Sequence, residues 1–125
     1  MFSDNAAVDR TSHAKSSFNN RLFPQWIGGG TSESHNDDGV NSTDWMFIVQ
    51  TRSETADEVK YYRNTNLLAT DTTIGNWSSA GDWAAMLIGA NSTAPTQPWY
   101  GRLAHCAVFS SAIDQTTIND LYVIP

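Results

Sequence analysis

Two stretches of this 125-residue chain carry residue types that could do chemistry. The first is Asn36-Asp37-Asp38-Gly39, preceded by His35. Calcium takes roughly six to eight oxygen ligands, and two adjacent carboxylates with an amide and loop carbonyls could supply several of them. The same four residues also spell a tight, solvated turn. The turn is the favoured reading, with a calcium site at Asp37 and Asp38 as the alternative and no other cofactor implied. The second stretch is aromatic: Trp77 stands in Asn76-Trp77-Ser78, and Trp99 with Tyr100 follows Pro98. A ring beside hydroxyl and amide groups can stack on a sugar face, which makes Trp77, Trp99 and Tyr100 the candidate ligand-binding residues. The competing readings are that these rings cap an open end of the fold or pack against a neighbouring subunit.

Catalytic patterns are missing. A glycosidase needs two carboxylates flanking the scissile bond, which in a strand means acidic residues at alternate positions. Glu33, Glu54 and Glu58 are the only glutamates, and none lies in such a pattern. There is no Gly-x-Ser-x-Gly elbow, and only His13, His35 and His105 could act as a base. No catalytic residue is assigned, and the chain is expected not to be an enzyme.

Composition narrows the partners. The formal net charge is −6, and the seven basic residues are scattered from Arg10 to Arg102, which disfavours nucleic acid and anionic membranes. No apolar run approaches the ~20 residues of a membrane span, and the first residues lack the basic and apolar regions of a secretion signal. Serine and threonine supply 26 residues and asparagine 10, whereas lysine occurs only at Lys15 and Lys60. Such a polar inventory suits short strands joined by many turns. Cys106 is the only cysteine, so an internal disulfide is excluded, and it is expected to be a small buried residue.

The elements that must position these residues are mostly strands. Residues 1–19 show no sustained period and read as an N-terminal arm, with a single domain over 20–125. Residues 20–26 (NRLFPQW) read as a strand that Pro24 confines to an edge or a bulge, with Trp26 covering a sheet edge. A glycine-rich loop follows, and residues 45–51 (WMFIVQT), apolar on both faces, read as a central strand beginning with a core Trp45. Residues 59–63 and 67–70 form a hairpin around Asn64-Thr65-Asn66. Residues 83–89 (WAAMLIG) and 100–109 read as buried strands, His105 being half-buried in the second. Asp114 is the natural N-cap of a short final helix, stapled by Ile113 and Ile118, with Ile118, Leu121 and Tyr122 on the face toward the sheet.

The C-terminal pattern resembles a known family. Gly101-Arg102-Leu103 running into Val108-Phe109, then Ala112-Ile113-Asp114 and Ile118 through Leu121-Tyr122, is similar to the close of a laminin-G-like, concanavalin A-like sandwich. The hairpin at 61–68 and the Leu87-Ile88-Gly89 strand are similar to further family segments, although no glycine follows the asparagines of the hairpin tip. The resemblance covers residues 45–122 and weakens before Pro24. It implies an all-β, antiparallel jelly-roll sandwich with one short C-terminal helix, its front strands missing, compressed or supplied by a neighbouring chain. It further implies binding without catalysis. The expected role is a structural, decoration or tail-associated module on a virion surface, a homo-oligomer packed against other assembly subunits and able to contact host glycans. The alternative is an extracellular, carbohydrate-binding, lectin-like domain of a larger secreted protein.

Overall fold

The computed structural model describes residues 2–3, 10–15, 21–28, 31–37, 40, 43–75, 85–86, 88–89 and 101–122. They form two antiparallel sheets and one helix, as the jelly-roll reading requires. The first sheet comprises β1 (Phe2–Ser3), β2 (Arg10–Lys15), β3 (Leu22–Gly28), β4 (Thr31–Ser34) and β8 (Ala85–Met86), in the order β4-β3-β2-β1-β8. The second comprises β5 (Ile48–Ser53), β6 (Glu58–Arg63) and β7 (Asn66–Thr72), with β6 in the middle. Helix α1 (Gln115–Leu121) ends the described chain.

The segment read as an arm holds β1 and β2, both inside the five-stranded sheet. Its polar sequence hid them, because β2 takes its place from its pairing with β3, Thr11 opposite Trp26 and His13 opposite Pro24. Strand β3 is likewise interior rather than an edge. In an antiparallel ladder the N and the carbonyl of one residue point to the same neighbour. Pro24 accepts from the His35 N–H at 3.2 Å, so its missing donor faces β4 just beyond the last residue of that strand. Pairing resumes two residues later, where Leu22 and Asp37 exchange both backbone bonds at 3.3 and 3.0 Å.

Among the described residues strand β5 is an edge rather than a centre, and Trp45 is 44% exposed. Part of the apolar run that suggested a central strand serves another purpose. Phe47 is pinned at both backbone groups by Asn64, at 3.0 Å through Oδ1 and 2.9 Å through the N–H, and its ring meets that of Tyr122 just past α1 at 5.9 Å. The helix therefore closes over the outer face of the three-stranded sheet, where alternation also places Val49 and Tyr62. Asp114 caps α1, its Oδ1 accepting from the Thr117 N–H at 2.8 Å. That bond holds the Asp114 carboxyl below the usual carboxylate range. Ile118 is fully buried, but Leu121 and Tyr122 stay 41% and 38% exposed, so the face toward the sheet is narrower than its spacing suggested.

The β6–β7 hairpin turns on Asn64 and Thr65, at φ 48° and 70°. A two-residue turn with both central residues left-handed is the type whose twist matches the flanking strands, and asparagine suits its first position. Thr65 does not suit the second, since a β-branched residue at positive φ is a steric outlier. Thr65→Gly should therefore stabilise the domain by about 0.5–1 kcal/mol, read as a raised urea midpoint at unchanged slope. The Gln115 Nε2 bond to the Thr65 carbonyl, at 2.9 Å, uses only backbone and would survive.

The sheets meet along β3–β4 and β6. Trp26, Val59, Tyr61 and Ile74 form the buried cluster between them, with Ala69 against it. The Trp26 Nε1–H donates to the Ile74 carbonyl at 3.0 Å, joining the first sheet to the chain leaving the second. Beside that bond Gly75 has φ +69°, and a Cβ there would lie 2.4 Å from the Gly28 carbonyl oxygen. Only glycine fits where the two backbones pass so closely.

Candidate functional site

Two regions of the molecule hold side chains that the sandwich core does not account for. The first is the surface made by residues 101–110. Among the described residues the chain here joins no ladder, and each of its residues is exposed. Leu103, Val108 and Phe109 are 47%, 61% and 48% exposed. Leu103 lies against Gly89, whose neighbour Ile88 is 55% exposed. This corrects the strand read over 100–109. His105 sits at φ 53°, a left-handed residue that interrupts the regular alternation of a strand, and it is exposed rather than half-buried. Cys106 follows it as an exposed free thiol, not the buried small residue expected. Contiguous exposed apolar side chains of this kind mark interaction surfaces in folded proteins.

The second region is a polar layer between the sheets. Alternation from Val59 and Tyr61 puts Gln50, Arg52, Arg63, Ala69 and Asp71 on the inward face of the three-stranded sheet. Glu33, opposite Trp26, faces them from β4. At one end, Arg63 and Asp37 form an inter-sheet ion pair at 2.8 Å, with the Asp37 side chain only 9% exposed. In the middle, the rings of His35 and Tyr61 stack at 6.4 Å and 14°. Next, the Arg52 guanidinium lies 4.9 Å above the Trp26 ring and 3.8 Å from Glu54. Gln50 Oε1 is buried without a hydrogen-bond partner, and the buried Tyr61 hydroxyl interacts with the Asp71 carboxylate. Burial first, and then the charges of Asp71 and Glu33, drive the Tyr61 hydroxyl well above the usual phenol range.

The residues singled out from sequence fall differently. Trp77, Trp99, Tyr100 and Asp38 lie outside the described residues. Asp37 is described, and its carboxylate is occupied by Arg63 while its backbone is locked to Leu22. Its neighbour His35 packs on Tyr61. His13 presents a buried Nδ1 with no partner, and burial pushes its pKa down to about 4, so it is neutral around pH 7. Trp26 does not cover an edge: it is 2% exposed, in the core. The polar layer of Glu33, Gln50, Tyr61 and Asp71 carries no local motif. It becomes visible in the sequence only once the register of β5, β6 and β7 is known.

A two-sheet antiparallel sandwich with a capped C-terminal helix and an apolar surface segment defines a β-sandwich of the lectin type. The profile of the concanavalin A-like lectin/glucanases superfamily matches residues 3–119, and the chain belongs to that family. The match includes Ser3 of β1 and the whole of β2, which the sequence resemblance had left out. No curated protein matches the chain. Among solved structures, the chain is similar to residues 221–444 of an S-layer domain-containing protein from Clostridium thermocellum ATCC 27405. The identity is 14% and the TM-score 0.58, with 96% of this chain and 59% of that one covered. The likeness is one of fold, and this chain spans less than two-thirds of that structure's length.

Proposed function

We propose that the chain is a non-catalytic module of a surface assembly, a virion or cell-surface structure, and that it packs against further copies of itself through residues 101–110. The exposed, apolar, unladdered character of that segment carries the reading. Between Gly101 and Phe109 the only charged or titratable groups besides Cys106 are Arg102 and His105, in a chain of net charge −6. Two copies can therefore meet here without opposing their acidic surfaces. The S-layer setting of one fold neighbour supports an assembly role. The carboxylates support a non-catalytic one. Glu54 and Glu58 are engaged by Arg52 and Lys60, and Glu33 and Asp71 act on a tyrosine buried between the sheets.

The test is the absolute mass in solution, by light scattering behind a sizing column. A dimer or larger species is expected, and Val108→Asp should return it to the 13.8 kDa monomer with little loss of stability, because Val108 is already 61% exposed. A wild-type chain that stays monomeric at high micromolar concentration would overturn the reading. Family membership favours a second reading, a carbohydrate-binding domain of a secreted protein that uses Trp77, Trp99 and Tyr100. That reading predicts glycan binding by the monomer, lost in Trp77→Ala or Trp99→Ala.

A further inference from the structure

We propose that the open edge of β5 is the surface that receives residues 101–109 of a second copy, so that the assembly grows by adding a strand of one copy to the sheet of the next. This contact rests on the assembly reading above and gives it a partner surface. The backbone of β5 shows which groups are on offer. Phe47 directs both its N–H and its carbonyl to Asn64, at 3.0 and 2.9 Å. Alternation along an antiparallel strand then turns the N–H and carbonyl of Ile48 and of Gln50 the other way, away from β6. Among the described residues no strand lies there to pair with them. A row of such groups is a template for a further strand.

The other edges are poorer templates. Strands β4 and β8, which end the first sheet, have only four and two residues. Strand β7 carries a register shift opposite Tyr61 and Tyr62, the kind of bulge that turns an edge away from further pairing. Strand β5 has no register shift, lysine or proline, and it continues a run, residues 45–49, that is apolar on both faces like a strand covered on either side. Residues 101–109 are its counterpart. They have the composition of a buried strand, join no ladder among the described residues, and match residues 45–53 in length. In their own chain they start against Gly89, just past β8 of the other sheet, so the β5 they reach is that of another copy. They hold the basic groups Arg102 and His105 and no acid, and the receiving run is bounded by the exposed Asp44 and Glu54. Antiparallel addition brings Arg102 to the Glu54 end. The left-handed His105 enters such a ladder as a bulge. Each copy then gives one segment and receives another, a head-to-tail contact that continues from copy to copy into a ring or a filament.

The experiment uses full-length chains carrying one change each. Val108→Asp disables the segment that is given. Ile48→Pro disables the edge that receives it, because Ile48 opens β5, where proline is tolerated, and its outward N–H is lost. Each variant alone should be monomeric by light scattering, and an equal mixture should form a heterodimer of about twice the 13.8 kDa of one chain. Hydrogen exchange on the wild type reads the same contact without relying on the proline variant. The amides of Ile48 and Gln50 should exchange at least about tenfold more slowly in the assembly than in the Val108→Asp monomer. A wild-type assembly in which those two amides exchange as fast as in the monomer, and which Ile48→Pro leaves intact, would sink this contact alone, because the 101–110 segments would then face each other. A wild-type chain that stays monomeric would remove the assembly reading and this contact with it.

Discussion

Trp26→Ala is expected to cost about 3–5 kcal/mol, enough to unfold a domain of ordinary stability at moderate temperature. Three separate losses converge on the one residue. The indole is 2% exposed and is the largest member of the cluster with Val59, Tyr61 and Ile74, so truncation leaves a cavity in the packing between the two sheets. Its Nε1–H leaves the Ile74 carbonyl without its 3.0 Å partner, beside the backbone crossing that only Gly75 permits. Its face also loses the Arg52 guanidinium, at 4.9 Å. The more conservative Trp26→Phe keeps most of the area and drops the hydrogen bond, so it should cost about 1–2 kcal/mol. Urea unfolding at constant slope measures both. If Trp26→Ala fell within about 1 kcal/mol of wild type, the packing of the two sheets would have to rest elsewhere.

The features legible in the sequence are those made by neighbours in the chain. The hairpin of β6 and β7 is one: alternating apolar residues flank an asparagine turn, and Asn64 adopts the left-handed conformation for which asparagine is suited. The cap at Asp114 is another, because the side chain and the Thr117 N–H it satisfies are three residues apart. The family was legible for the same reason, since its C-terminal motif is a continuous string.

What the sequence concealed depends on partners far along the chain. Strand β2 (RTSHAK) has no apolar period and exists because β3 pairs with it over six positions. Pro24 argued for an edge, and nothing local reveals that β4 stops just where the missing donor would be needed. The segment at 100–109 is the opposite case. Its composition is that of a buried strand, but the left-handed His105 breaks the ladder geometry and the described residues offer no partner, so a local signal met no tertiary support. The polar layer is the most hidden feature. Gln50, Arg52 and Asp71 look like solvated strand residues until the register turns them inward beside Val59 and Tyr61.

Ile118→Asp should abolish the cooperative folding of the domain or reduce its stability by about 4 kcal/mol or more. Ile118 is the buried residue of α1, fully inaccessible, and a helix of seven residues is too short to persist without tertiary packing. A carboxylate in its place would have to leave the interior or take up a proton, and either outcome lifts the helix from the outer face of β5 and β6. The Phe47–Tyr122 contact and the Gln115 bond to the hairpin turn would go with it. The neighbouring Leu121→Asp provides the contrast, because Leu121 is 41% exposed and the same change there should cost no more than about 1 kcal/mol. Thermal melts followed by near-ultraviolet circular dichroism separate the two variants. Retention of a melt within a few degrees of wild type by Ile118→Asp would show that the sandwich stands without its helix, and the C-terminal turn would then be an appendage rather than part of the fold.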